Sequence, residues 1–204
     1  MEESQADIRN RAAAQDHMSL MGRKFFKYIE FDSNERMVTE IHKHQFGLVL
    51  ILLSGLFVIF GISMVVGIAS SMDLNEILGV GELNGFKPLL VGLAYFIVLG
   101  AAVMTGIAAF LFRNNVIYVT SEKIAQVLYV SLFNRKISQL SIGDVQDVTV
   151  TQKGVIAHVL NYGTLVVETA GEQQNYTFTF VPDPYQKSKL IVGSHERNLA
   201  LHGN

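Results

Sequence analysis

FGLVLILLSGLFVIFGISMVVGIA, residues 46–69, carries no charged side chain, and neither does PLLVGLAYFIVLGAAVMTGIAAFLF, residues 88–112. A helix needs about 20 apolar residues to cross a hydrocarbon core ~30 Å thick. Both runs are long enough to cross with some tilt. The competing reading is a pair of buried core helices. A chain of 204 residues has too little else to surround two uncharged helices on every side. The runs therefore read as a transmembrane hairpin over 46–112, with an external loop at 70–87. The first run starts too far along the chain and is too long for a cleaved signal peptide.

Composition agrees. Half of the residues are hydrophobic and 17% are charged, below the ~25% usual in soluble domains. Mean hydropathy is +0.31. Sixteen Lys and Arg stand against eighteen Asp and Glu, so no broad basic field exists to hold nucleic acid. Cysteine is absent, which excludes disulfides, thiol catalysis and cysteine-ligated metal. The three prolines argue against a long disordered linker.

Flanking charge sets the expected orientation. Arg23, Lys24, Lys27, Arg36 and Lys43 precede the first run, and Arg113, Lys123, Arg135 and Lys136 follow the second. The loop between holds Asp73, Glu76 and Glu82. Both termini are thus expected in the cytoplasm. No Asp, Glu, Lys, Arg or His lies within either run, which disfavours a pump or a proton-coupled transporter. Small residues recur at helical spacing: Ala101, Thr105 and Ala109, with Ala102 and Gly106 beside them. Such a face lets helix backbones approach closely. It serves packing against the first helix, the favoured reading, or oligomerisation.

Residues 1–45 read as a cytoplasmic tail and juxtamembrane segment. Residues 1–22 are polar, with a broken apolar stripe, and suggest a frayed helix or a disordered tail. Glu2, Glu3, Asp7 and Asp16 disfavour a helix lying on anionic lipid. Residues 25–45 look ordered, with an extended piece up to Phe31 and a turn at Asp32 and Ser33. His42 and His44 are two apart. They read as interface residues beside the membrane, and no metal site is expected.

From Asn114 the pattern turns to period two. NNVIYVTSE, KIAQVLYVSLF, RKISQLSIGD, VQDVTVTQK, GTLVVETAG and NYTFTFVP read as short antiparallel strands. The irregular stretch 154–163 reads as a loop, and Glu172-Gln173-Gln174 as a turn. In the last strand Tyr176, Phe178 and Phe180 share one expected face, and Thr177, Thr179 and Val181 the other. Asp183-Pro184 signals a helix start, with Asp as N-cap. Tyr185, Leu190, Ile191 and Leu199 form its expected apolar face, and Gly193 a weak point. The plan is an α+β membrane protein, with the hairpin followed over 113–204 by a bent antiparallel β-barrel and a capping C-terminal helix.

These residues resemble the membrane-flanked bacterial pleckstrin-homology (PH-like) domain family. The resemblance rests on NNVIYVTSEKI at 114–124, IGDVQDV at 142–148, NYGTLVVETAG at 161–171 and NERMVTEIHKHQF at 34–46. It spans roughly residues 34–192. It implies a seven-stranded bent sheet capped by a helix, a bacterial inner-membrane location, and a scaffolding role with self-assembly. It implies no enzymatic activity. Lipid-binding PH domains gather Lys and Arg across their first two strands, whereas here that turn is Thr120-Ser121-Glu122-Lys123. Specific phosphoinositide binding is therefore not expected. Arg135 and Lys136 are candidates for loose headgroup contact.

No nucleophile-elbow or phosphate-loop pattern is present. His158, His195 and His202 do not read as catalytic groups. The expectation is a non-enzymatic membrane scaffold without cofactor or metal. Its partners are the bilayer and either further copies or another membrane protein. The alternative is an accessory subunit of a transporter or envelope complex.

Overall fold

A computed structural model describes residues 5–16, 18–32, 34–72, 83–169 and 175–203. Most of the 70–87 loop and the Glu172-Gln173-Gln174 turn lie outside the described residues. Two compact units form: Met1–Gln45 with Leu111–Asn204, and Phe46–Phe110.

The second unit is built from α3 (Gln45–Ser71) and α4 (Leu83–Arg113). Both are long and apolar enough to cross a membrane. Gly55 and Val66 are buried on α3, and Val91, Ala94, Val98, Ala101 and Thr105 are half-buried on α4. The α4 positions fall three or four residues apart, the spacing of a two-helix seam. Large side chains elsewhere point outward, with Phe57 79% and Phe96 72% exposed. A soluble core helix would bury them.

The first unit begins with α1 (Gln5–Asp16), α2 (Leu20–Phe26) and β1 (Met37–His42). It resumes after α4 with β2 (Val116–Thr120), β3 (Lys123–Tyr129) and β4 (Arg135–Ser141). A 3-10 turn over Ile142–Asp144 leads to β5 (Val145–Thr151). Then follow α5 (Val155–Val159), β6 (Tyr162–Thr169), β7 (Tyr176–Pro182) and α6 (Pro184–His202). All pairings are antiparallel, in two sheets ordered β1-β2-β3-β4 and β5-β6-β7. Ile41, Val119, Ile124, Ile142, Leu165, Val167, Phe178 and Ile191 form the core between them. β-branched side chains dominate it, as a half-buried pleated surface favours.

Several expectations need correction. The sheets do not close into a barrel. β1 and β7 are not paired as strands; just past β1, His44 N–H donates to Phe180 O at 2.6 Å. The chain then leaves β1 for helix α3 at Gln45. A crevice of about 110 Å³ remains there, lined by Ile41, Lys43, Phe178 and Val181. The compact unit does not begin at 113 either, because β1 pairs with β2, His42 opposite Val116. The apolar hairpin is thus inserted between two neighbouring strands of one sheet.

The N-terminal segment is not a free tail over its described part. Ala14, Met18, Phe25, Phe26, Ile29 and Phe31 pack on Val116, Tyr118, Ala125 and Val127. They cover the outer face of the first sheet. The sequence obscures this because β2 is buried on both faces, and its run VIYVT cannot say what covers the second.

Alternation in β7 breaks at Phe180. Its φ of +57° is unusual for a bulky residue. It re-phases the strand, so Phe178 and Val181 are both buried. Asp183 also has positive φ and makes no side-chain cap. Its Oδ1 instead accepts from Asn161 Nδ2 at 2.5 Å. Helix α6 runs on through Gly193, and its inward residues are Ile191 and Ser194, while Tyr185 and Leu190 are exposed.

Candidate functional site

The small-residue face of α4 divides in two. Ala101, Thr105 and Ala109 are half-buried, whereas Ala102 and Gly106 are exposed. Thr105 Oγ1 is tied to Ala101 O at 2.8 Å. Its side chain fills the space where a Cβ on Gly55 would stand. Gly55 is therefore a point of close approach within the hairpin.

Arg135 and Lys136 also part company. The Arg135 guanidinium lies 3.8 Å from the centroid of the Tyr28 ring, a cation–π stack. Hydrogen bonding to Arg135 and then to Lys27 lowers the Tyr28 hydroxyl pKa. Lys136 is exposed.

His42 and His44 do not converge on a metal. His42 lies against Glu40 and 3.0 Å from Ser19 Oγ, whereas His44 stacks on Tyr162. No cluster of three metal-ligating side chains occurs among the described residues. Ser19, Glu40 and His42 superficially suggest a nucleophile–base–acid set. The geometry rules out a relay, because Glu40 and Ser19 both contact the same ring nitrogen, Nε2. The cluster is a latch. Ser19 Oγ donates to Glu40 Oε1 at 2.7 Å and caps α2 by accepting from Gly22 N–H. Ser19 N–H donates to Glu40 Oε2. Burial pushes the Glu40 carboxyl up, but bonds from His42 and Ser19 prevail and hold it below its ordinary 4.5. Beneath the latch, Tyr118 donates to Gly22 O at 2.6 Å, and burial raises its hydroxyl pKa. The signal for this cluster is the two-residue spacing of Glu40 and His42, which share one strand face.

A second cluster lies where the apolar helices join the sheets. His44, Tyr162 and Phe180 stack with centroids 5.4 Å apart, and Phe112 meets Phe180 edge-on at 5.6 Å. Lys43 Nζ sits 4.8 Å from the Phe112 ring, and burial lowers its pKa. Positive φ at Phe180 turns its ring outward to join this group. A groove of about 400 Å³ borders it, lined by Thr151, Lys153, Tyr162, Thr164, Val166 and Thr179. It opens on the outer face of the second sheet, where Val166 pairs with Thr149 and Thr177.

A family model described as bacterial PH domain matches residues 46–187. No curated protein matches significantly. Among solved structures, the fold is similar to a DUF1696 family protein with a pleckstrin-homology domain from Shewanella loihica PV-4. That likeness has a TM-score of 0.33 at 13% identity, over 40% of this chain and 70% of the other.

Proposed function

The chain belongs to the bacterial PH domain family, and from that premise we propose that it is an integral membrane scaffold. Its PH-like domain makes protein–protein contacts, chiefly with further copies of itself. One observation carries this reading: the two sheets are covered unequally. The N-terminal helices cover the outer face of the first sheet. On the outer face of the second, Thr149, Thr177 and Thr179 are open to solvent in part or in full, and Val166 is half-buried. An open, mildly apolar β face beside a groove suits a protein partner.

In this reading the helices cross the bacterial inner membrane with both termini in the cytoplasm, as the flanking bases favour. The protein catalyses no reaction and takes no cofactor. Nucleic acid and specific phosphoinositides are not partners in this reading, since the chain has no basic excess and the β2–β3 turn pairs one base with one acid. An accessory role beside another membrane protein has one observation in its favour: Ala102 and Gly106 are exposed on α4, where a foreign helix could approach.

The test is the native mass of the gently solubilised full chain, alone and as Val166→Arg. A defined multiple of the chain mass that falls in the variant supports self-assembly through this face. A monomer, or stable co-purification with a different membrane protein, overturns it.

A further inference from the structure

Strand register sorts the loops of the β unit into two ends. His42 pairs with Val116, and Val116 with Val127. The start of α3, the end of α4 and the β3–β4 turn therefore lie at one end. Tyr129 N–H donates to Asn115 Oδ1 at 2.7 Å, so the β3–β4 turn extends past the start of β2. The bond from His44 to Phe180 and the pairing of Tyr162 with Pro182 bring α5 to the same end. The β2–β3 turn and the 3-10 turn lie at the other.

The two ends differ in chemistry. At the first, Phe133 is 99% exposed, Val155 79%, Val159 75% and Ile156 55%. The stretches VSLFNRK at 130–136 and QKGVIAHVLN at 152–161 contain bases and no acid. At the other end Glu122 and Asp144 stand with Lys123, the apolar Ile142 is buried, and Leu201 at the end of α6 is exposed. Several of the most exposed apolar side chains of this unit thus lie at the end where the chain continues into its apolar helices. Phe112, Tyr162 and Phe180 lie among them. Aromatic rings beside bases are the usual lining of a membrane–water boundary.

We propose that this rim is a membrane-contact surface, in which the Phe133 turn and helix α5 dip into the headgroup–acyl boundary of the leaflet where the hairpin roots. The inference rests on the spanning reading of α3 and α4. The bilayer is the occupant because the rim is joined by peptide bonds to both apolar helices. Lys136 and Lys153 also complement anionic lipid, with the Asp183 carboxylate at this end taken up by Asn161. Lys136 and Lys153 lie at headgroup level while the aliphatic side chains and Phe133 enter the boundary.

The absence of cysteine makes the test direct. Single spin labels are placed by Phe133→Cys, Ile156→Cys, Asp144→Cys and Phe96→Cys in the full chain, reconstituted in phosphatidylcholine–phosphatidylglycerol vesicles. Collision with oxygen and with a nickel chelate is then compared. The expected result is an oxygen-to-nickel ratio several-fold higher at 133 and 156 than at 144, and highest at 96. Ratios at 133 and 156 equal to that at 144, with 96 in hydrocarbon, overturn the rim contact and leave the spanning reading standing. Shielding of 133 and 156 from both reagents means that protein covers the rim, and also overturns it. A water-accessible label at 96 removes the spanning reading and the rim contact with it.

Discussion

Glu35 and Thr120, separated by 85 residues, meet in a hydrogen bond inside the first unit, with Thr120 Oγ1 donating to Glu35 Oε1. Glu35 is wholly buried. Its other oxygen accepts from Asp32 N–H and lies 3.2 Å from Lys123 Nζ. Thr120 Oγ1 accepts in turn from the Lys123 and Glu122 amides. This cluster ties the segment before the hairpin to the first turn after it.

Glu35→Ala leaves the Lys123 ammonium and the Asp32 amide without their buried partner. The expected loss of unfolding free energy is about 2–4 kcal/mol, with a smaller loss for Glu35→Gln. Denaturant unfolding of the solubilised protein reads both. A loss in Glu35→Ala no larger than that of an exposed substitution would show the contact to be incidental.

The latch at Ser19, Glu40 and His42 depends on a charged carboxylate. Its folded pKa is depressed, so its contribution is full above the unfolded value of 4.5 and fades as pH falls through the folded one. Protection of the Leu20–Phe26 amides, taken relative to their intrinsic exchange rate at each pH, should therefore fall below pH 4.5, and Glu40→Gln should show low protection already at neutral pH. Protection that stays constant as pH falls in the native chain would count against the latch.

Gly55 and Thr105 mark a close approach of the two apolar helices. Gly55→Val should lower the melting temperature of the hairpin, since a side chain there strikes Thr105. Thr105→Ala combined with Gly55→Ala should recover part of what Gly55→Ala alone loses. Strict additivity of the two changes would mean that they do not touch.

Phe26 is fully buried against the sheet, 5.8 Å from the Tyr118 ring. Phe26→Ala should cost about 3–5 kcal/mol. Leu20→Ala, 87% exposed, should change stability by no more than about 0.5 kcal/mol. Equal effects would place α2 off the sheet.

Much of this architecture is legible in the amino-acid pattern. The two uncharged runs declare long apolar helices because nothing else accommodates such stretches. The strands after Asn114 follow from alternation and from turn residues. Where alternation fails, so does the reading. Phe180 carries a backbone angle that periodicity does not encode, and Asp183 directs its carboxylate to Asn161 rather than to a cap. The helical stretch Val155–Val159 is too short to announce itself by period. Ala101, Thr105 and Ala109 are legible as a close-packing face, but the glycine opposite is not.

Composition, element order and the family are written in the chain itself, because they depend on local period and short-range turn chemistry. What each element covers is settled only by folding. The pairing of β1 with β2 across the whole hairpin, the N-terminal helices on the first sheet, and the placement of the β3–β4 turn and α5 at the same end all relate residues distant in the chain. No local pattern records such relations, since a buried face reads the same whatever buries it.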